Sequence, residues 1–222
     1  MTNVEDAVLA ASNGAHLVGM ILWPHAKRSI SPSTALQISN AIRPYGASPV
    51  AVFVDEDAER IGDVCRESSI AIAQLHGDGA RAALPYLSST STPNNTPLQT
   101  IYVMHADEQG VLQTPVPPCP VDFVLVDGMQ GGSGERFEWS SLSSNPKLQQ
   151  AIHATRCGWL LAGGLSPENV GEAITIAHPT GVDVSSGVCG PDGLKKDAPK
   201  VVDYIQNATH AFQHHSTSLS SL

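Results

Sequence analysis

The chain has 222 residues, of which 41% are hydrophobic and 15% charged, and its formal net charge at pH 7 is −9. This length is enough to bury one core, so we expect a single domain over residues 1–212 with a disordered tail over 213–222. The negative charge argues against a nucleic-acid surface. No run of 18 apolar residues is present, which argues against a membrane span, and the N-terminus does not resemble a secretory signal.

The four cysteines, Cys65, Cys119, Cys157 and Cys189, are widely spaced and form no CxxC pair. This spacing is typical of reduced thiols in an intracellular protein rather than of a disulfide framework. Because the net charge is negative, an anionic substrate would have to be held by a local binding site.

The chain begins with a helical pattern, TNVEDAVLAASNG, with Thr2 or Asn3 as its cap and Gly14 at its end. Short apolar runs and amphipathic stretches then alternate, with a period of roughly 25 to 30 residues. This alternation predicts a parallel sheet with helical crossovers. The predicted strands are 16–22, 49–54, 71–75, 98–104, 122–126, 158–163 and 181–186.

The strand count distinguishes two fold classes. A (β/α)₈ TIM barrel needs eight strands, each followed by a helix, so a barrel here would lack its first strand in this chain and show seven. An open doubly wound sheet tolerates any number of strands.

The polar stretch 88–97 is predicted to be a surface insertion. The paired histidines of the tail are weak evidence for a metal site.

Three successive strands end in small residues, at GGSG (131–134), AGG (162–164) and SSG (185–187). Each glycine could serve a tight turn alone. Three such loops after successive strands, however, favour a phosphate site, because glycine lets backbone N–H groups approach an oxyanion. In a barrel, phosphate commonly binds after strands seven and eight.

Ser166, Pro167 and Glu168 predict a helix start, with Ser166 as the N-cap.

Together these motifs resemble phosphoribosylanthranilate isomerase, and the WPHAKRSIS and SSGVCG forms resemble plant or algal versions. The matching stretches are TNVEDA (2–7), VGMILWPHAKRSIS (18–31), VAVFVDE (50–56), AQLHGDG (73–79), VLVDGMQGGSGERFEW (124–139), LLAGGLSPENV (160–170) and GVDVSSGVCGPDGLKKD (181–197). The resemblance implies a (β/α)₈ barrel without metal or organic cofactor. It also implies an Amadori rearrangement of N-(5′-phosphoribosyl)anthranilate to 1-(o-carboxyphenylamino)-1-deoxyribulose 5-phosphate, in tryptophan biosynthesis.

The resemblance assigns roles to particular residues. Asp127, at the end of a strand, matches the general acid that protonates the ribose ring oxygen, and partial burial would raise its pKa. Arg28 matches the arginine that binds the anthranilate carboxylate, and Asp183 matches a substrate-contacting aspartate. His76 is expected to line the site. The expected phosphate cradle consists of Gly163, Gly164, Ser186 and Gly187, with Ser133 and Gly134 in a loop that closes over it.

The pattern breaks at the N-terminus. The family's first strand carries K-x-C-G-[IL]-T, whose cysteine is the general base, and Met1 and Thr2 align with the last two positions of that motif. The strand and its cysteine would therefore lie upstream of Met1. Cys189 is the only cysteine near the expected site, and we do not expect it to act as the base. Either the chain starts downstream of the true start, which we favour, or it is a phosphosugar-binding relic or regulator.

Two other enzyme functions fit the sequence less well. Pentose-phosphate epimerases need a cluster of histidine and carboxylate metal ligands, for which only His76 and Asp127 are suitably placed. Indole-glycerol-phosphate synthase needs a lysine on an early strand, which is absent. The expected partner is a small phosphosugar, with fusion to or association with other tryptophan-pathway enzymes left open. The expected location is the plastid for a plant or algal protein and the cytoplasm otherwise.

Overall fold

The structure, a computed structural model, describes residues 1–87, 90, 92, 96–129 and 137–219, with side chains described as far as residue 214. The chain forms two compact units. The first contains residues 1–103 and 117–122, and the second contains residues 104–116 and 123–222. The predicted domain bounds of 1–212 stay a prediction.

The first unit alternates helices with parallel strands. Its elements are α1 (Val4–Ser12), β1 (Leu17–Ile21), α2 (Pro32–Ile42), a 3₁₀ turn (Arg43–Tyr45), β2 (Ser48–Phe53), α3 (Ala58–Glu67), β3 (Ile72–Leu75), α4 (Asp78–Leu87) and residues 99–103 of β4 (Gln99–Ala106). Each of β1 to β3 pairs in parallel with the strand that follows it in the chain. Since all the strands run the same way, their carboxyl ends lie at one edge of this unit.

The helices of the first unit begin where their sequences predict. The side chains of Asn3, Ser31 and Asp57 accept hydrogen bonds from backbone N–H groups in the first turns of α1, α2 and α3. Such caps satisfy donors that have no partner inside the helix. Of the two predicted caps for α1, Asn3 is therefore the observed one. The core contains fully buried side chains of strands and helices, such as Met20, Phe53 and Ile61.

The second unit holds the remaining strands. Its elements are residues 104–106 of β4, β5 (Phe123–Gly128), a 3₁₀ turn (Trp139–Ser141), α5 (Pro146–His153), β6 (Trp159–Leu161), α6 (Val170–Ala177), β7 (Gly181–Val182), a 3₁₀ turn (Ser186–Val188) and α7 (Ala198–Leu219). Strand β6 pairs in parallel with both β5 and β7. The seven predicted strands are thus all present among the described residues, in the predicted order.

Two predictions about the second unit need correction. Ser166 is not the N-cap of α6, because that helix begins at Val170 and Asn169 occupies the cap position. The final helix extends to Leu219, so residues 213–219 of the predicted tail are helical. No described helix combines the length and the apolar character needed to cross a membrane.

Candidate active site

Strand register brings Asp127 and Asp183 to one edge of the second unit. Val126 pairs with Leu161, and Leu161 pairs with Val182. Beyond these pairs, the N–H of Ala162 donates to the Val126 carbonyl and the N–H of Asp183 donates to the Leu161 carbonyl, each at 2.8 Å. Asp127 directly follows Val126, and Asp183 directly follows Val182. Both carboxylates therefore lie at the carboxyl ends of parallel strands, on either side of the AGG loop.

Asp127 is a buried acid. The residue is 8% exposed, and its Oδ1 accepts a hydrogen bond of 2.8 Å from the N–H of Gly128. Burial, as the largest cause, and the negative charge of Asp183 together raise the pKa of Asp127 to about 7, while the Gly128 hydrogen bond lowers it. A carboxylic acid with a pKa near neutrality is still substantially protonated where most enzymes work. It can therefore donate a proton in a reaction.

Gly163 leaves room for this acid. Its backbone lies in the left-handed region, with φ +85°. A Cβ on Gly163 would lie 2.8 Å from the Gly128 nitrogen, 3.0 Å from Cε1 of Phe137 and 3.1 Å from Oδ1 of Asp127. A side chain at position 163 is thus excluded both by backbone strain and by crowding against the acid.

The AGG and SSG loops are in contact. A Cβ on Gly187 would lie 1.9 Å from the carbonyl oxygen of Leu165, so only glycine permits this close approach. Within the described part of the chain, the backbone N–H groups of Gly163 and Gly164 take part in none of the backbone hydrogen bonds outside helices and strands. Free N–H donors beside a second glycine turn can bind an anion. The structure therefore brings together the predicted residues Gly163, Gly164, Ser186 and Gly187.

Asn169 shapes this loop, and the sequence interpretation did not assign it a role. Its Oδ1 accepts a hydrogen bond from the N–H of Ser166 at 2.8 Å, and its Nδ2 donates to the carbonyl of Gly164 at 2.8 Å. One side chain thus fixes both ends of the Gly164–Ser166 segment. The signal in the sequence was an asparagine three residues after a serine, which also fits an ordinary helix cap.

The first unit carries the other two predicted residues, each just after a strand. Arg28 is half-buried in the turn that follows β1, where the N–H of Ile30 donates to the Ile21 carbonyl at 3.0 Å. His76 directly follows β3 and is also half-buried. Its N–H donates to the Phe53 carbonyl at 2.8 Å, and its carbonyl accepts a hydrogen bond from Arg81. Both residues therefore lie at the edge formed by the carboxyl ends of the strands of this unit.

The remaining predicted site residues, Ser133 and Gly134, lie outside the described residues. The four cysteines occupy different environments. Cys65 is buried in α3, where burial raises its thiol pKa to about 12. Cys157 is exposed and precedes β6, at the opposite end of that strand from the AGG loop. Cys189 is buried behind the SSG turn, where its Sγ lies 3.3 Å from the carbonyl oxygen of Ser185.

No cluster of three or more His, Cys, Asp or Glu side chains suitable for a metal occurs among the described residues. The histidine-and-carboxylate set that an epimerase would need is therefore not assembled in that part of the chain. The Asp127 edge therefore offers a buried acid, a second carboxylate and the backbone N–H groups of Gly163 and Gly164, for which the described residues supply no backbone acceptor.

Comparison with known proteins decides the family. The model of the N-(5′-phosphoribosyl)anthranilate (PRA) isomerase family matches residues 1–207. The chain belongs to the phosphoribosylanthranilate isomerase family. It is 43% identical over 208 residues to the chloroplastic N-(5′-phosphoribosyl)anthranilate isomerase 1 of Arabidopsis thaliana, covering 92% of this chain and 71% of the relative. It is 36% identical to the isomerase of Chlamydia felis, covering 94% of this chain and 93% of that relative.

Solved isomerase structures share the fold. The phosphoribosyl anthranilate isomerase of Thermotoga maritima is 31% identical, with a TM-score of 0.71 over 95% of this chain and 96% of that chain. Another isomerase structure, in complex with reduced 1-(o-carboxyphenylamino)-1-deoxyribulose 5-phosphate, is 29% identical, with a TM-score of 0.69 over 95% of each chain. The predicted fold class, a (β/α)₈ barrel with seven strands visible, is confirmed, and the doubly wound alternative is wrong.

Proposed function

We propose that this chain catalyses the Amadori rearrangement of N-(5′-phosphoribosyl)anthranilate to 1-(o-carboxyphenylamino)-1-deoxyribulose 5-phosphate, a step of tryptophan biosynthesis. The chain belongs to the isomerase family over residues 1–207. The observation that carries the proposal is the pKa of about 7 at Asp127, beside the glycine loops. An aldose–ketose rearrangement needs a group that is protonated near neutrality and can give that proton to a ring oxygen.

Asp127 acts in the first step. Its protonated carboxyl donates to the furanose ring oxygen, the C1′–O bond breaks, and the ring opens to an iminium. A base must then take the proton from C2′, a role that the family pattern gives to the cysteine of its K-x-C-G-[IL]-T strand, and the resulting enolamine becomes the ketose when C1′ is protonated. Burial favours the neutral acid before the substrate reacts. Gly163 keeps side-chain atoms away from the carboxyl group, which leaves space for the ribose.

The other residues bind substrate in this proposal. Arg28 grips the anthranilate carboxylate, because a guanidinium offers two parallel donors to a carboxylate. Asp183 contacts the substrate, and His76 lines the site. The phosphate is held by backbone and hydroxyl donors, with Ser133 and Gly134 expected to close over it. The cradle residues that support this role are Gly163, Gly164, Ser186 and Gly187.

None of the four thiols is given the role of base. Cys65 lies in a helix of the first unit with its pKa raised to about 12, so its thiolate is rare near neutrality. Cys189 directs its Sγ at the Ser185 carbonyl and lies 3.4 Å from the Lys196 ammonium. The proposal therefore assigns the acid step to Asp127 and expects Cys189→Ala to retain turnover.

Direct assay tests the proposal. The folded chain is incubated with phosphoribosylanthranilate, and the disappearance of the substrate is followed for the wild type, Asp127→Asn and the exposed control Asp203→Asn. We expect wild-type turnover, about a hundredfold or greater loss in Asp127→Asn, and no loss in the control. A folded wild type that binds inorganic phosphate without turnover would contradict the proposal and favour a phosphosugar-binding relic or regulator.

We also propose a plastid location for this protein. Two Arabidopsis relatives at 43% identity are named as chloroplastic. When the protein is fused at its C-terminus to a fluorescent protein and expressed in plant cells, its fluorescence should coincide with that of chlorophyll. Fluorescence spread through the cytoplasm would contradict this location. Fusion to or association with another tryptophan-pathway enzyme would be tested by the size of the native species in extracts.

A further inference from the structure

Two donors meet at one carbonyl behind the SSG turn. The Ser185 oxygen lies 2.7 Å from Nζ of Lys196 and 3.3 Å from Sγ of Cys189. Nζ and Sγ are themselves 3.4 Å apart. We refer to Lys196 and Cys189 on this carbonyl as the Ser185 clamp.

The backbone path of the loop, as well as the flexible side chain of Lys196, places the ammonium at the Ser185 carbonyl. Residues 189 and 196 form an isolated antiparallel bridge, and the N–H of Gly190 donates to the Lys195 carbonyl at 2.9 Å. The N–H of Asp197 donates to the Val188 carbonyl at 3.0 Å. The segment from 189 to 196 therefore returns the chain to the back of the SSG turn. The Lys196 ammonium reaches Ser185 from a position that this loop determines.

The clamp fixes a peptide plane. The described part of the chain contains no cis peptide bond, so the Ser185 carbonyl and the Ser186 N–H point in opposite directions from a trans unit. Two donors on the carbonyl oxygen hold the plane and direct the Ser186 N–H away from Lys196. An ammonium on the oxygen also polarises the amide, which strengthens its N–H as a donor.

We propose that Lys196 and Cys189 are positioning residues of the phosphate site, which hold the Ser185–Ser186 peptide so that the Ser186 N–H faces the substrate phosphate. This inference rests on the proposed function, since it deepens the role of the SSG loop. It also explains how a chain with a net charge of −9 retains a phosphate dianion. The positive charge is supplied from behind the loop, and the Lys200 Nζ adds a second ammonium 3.4 Å from the Cys189 carbonyl.

The chain offers a matched control. Lys147 lies in the same unit, and its Nζ also donates to a backbone carbonyl, that of Leu112, at 2.9 Å. Lys147→Met therefore removes the same kind of hydrogen bond without touching the SSG loop. The clamp variants are Lys196→Met, Lys196→Arg and Cys189→Ala. Each is assayed by calorimetric titration with inorganic phosphate, by kcat and KM for phosphoribosylanthranilate, and by thermal unfolding.

We expect Lys196→Met to weaken phosphate binding by about tenfold or more, since hydrogen bonds from charged groups are the strong ones. KM should rise by a similar factor, while kcat changes less than about threefold. Lys196→Arg should restore most of the affinity, and Cys189→Ala should weaken binding by about two- to threefold. Lys147→Met should leave phosphate affinity at the wild-type value.

The inference and the proposed function fail in different ways. Wild-type phosphate affinity in Lys196→Met, or an equal loss in Lys147→Met, would overturn the clamp and leave the phosphate site standing. If Lys196→Met does not fold, unchanged phosphate affinity in Cys189→Ala overturns the clamp instead. A wild type that binds no phosphate would overturn both the clamp and the phosphate cradle.

Discussion

Asp127 lies at the carboxyl end of β5 and Asp183 follows β7, two strands that both pair with β6, and the negative charge of Asp183 raises the pKa of Asp127 across the intervening strand. Parallel strands lie roughly 4.8 Å apart, so residues two strands away still interact when water is largely excluded. The two carboxyl groups lie in different environments. Asp127 is buried and its pKa is raised to about 7, whereas Asp183 is exposed.

The pH dependence of kcat/KM should report this coupling. Because Asp127 must be protonated to act as the acid, we expect kcat/KM to fall as the pH rises through about 7. Asp183→Asn removes a charge that raises the pKa of Asp127, so the decline should begin at lower pH. The absolute rate of Asp183→Asn will also fall, but only the position of the decline tests the coupling. An alkaline limb that does not move would contradict it.

The buried acid should also destabilise the fold at high pH. The pKa of Asp127 is raised in the folded state, from 3.8 to about 7, so between these values the folded chain holds a proton that the unfolded chain loses. The free energy of unfolding should therefore decrease as the pH rises through this window and level off above it. Asp127→Asn should gain about 2 kcal/mol over the wild type between pH 5 and pH 8.

Urea unfolding at these two pH values measures that gain. Asp203→Asn, an exposed carboxylate on α7, is the control and should show no pH-dependent difference from the wild type. An Asp127→Asn variant whose stability relative to the wild type is the same at both values would show that Asp127 ionises normally.

Gly163→Ala should damage the acid directly. The added methyl would lie 3.1 Å from Oδ1 of Asp127 and 2.8 Å from the Gly128 nitrogen, on a backbone with φ +85°. We expect a loss of about 1–3 kcal/mol in unfolding free energy and a fall in kcat larger than in KM. Gly193→Ala is the control, since its φ is +66° but nothing lies within 4 Å of its Cβ. Equal kcat in the two variants would contradict this prediction.

Arg28 should control affinity for the anthranilate end of the substrate. We expect Arg28→Met to raise KM by about tenfold or more, because a charged hydrogen-bonded pair is lost, while kcat changes less. Arg28→Lys should recover only part of the affinity, since an ammonium cannot form two parallel hydrogen bonds with a carboxylate. Arg66→Met, which alters an exposed arginine paired with Asp63, serves as the control. A normal KM in Arg28→Met would remove Arg28 from the site.

Much of this fold and site could be predicted from the sequence because strand ends carry strong local signals. Unalternating apolar runs marked all seven strands, and the residues at their carboxyl ends gave Asp127 and the glycine loops, while Asp183 was assigned through the family resemblance. Register then determined that these positions share an edge. Parallel pairing makes such neighbours predictable once the strands are placed.

The residues that support the loops could not be predicted in this way. Asn169 matches a cap pattern, yet its side chain reaches backwards to Gly164 and Ser166. Lys196 reaches the Ser185 carbonyl only because the 189–196 segment returns on itself. Such contacts depend on the path of an irregular loop in three dimensions, which no periodic pattern encodes. Ser166 was misplaced for the same reason: the N-cap position of α6 is occupied by Asn169 and not by Ser166.

The shortness of the last two strands has an evolutionary consequence. β6 has three residues and β7 has two, yet they set the positions of the AGG loop and Asp183. Inserting or deleting one residue in a strand turns every following side chain to the opposite face. In strands this short, no spare pairs remain to absorb such a slip. Insertions and deletions should therefore be tolerated in the loops that precede β6 and β7 and be eliminated by selection within the two strands.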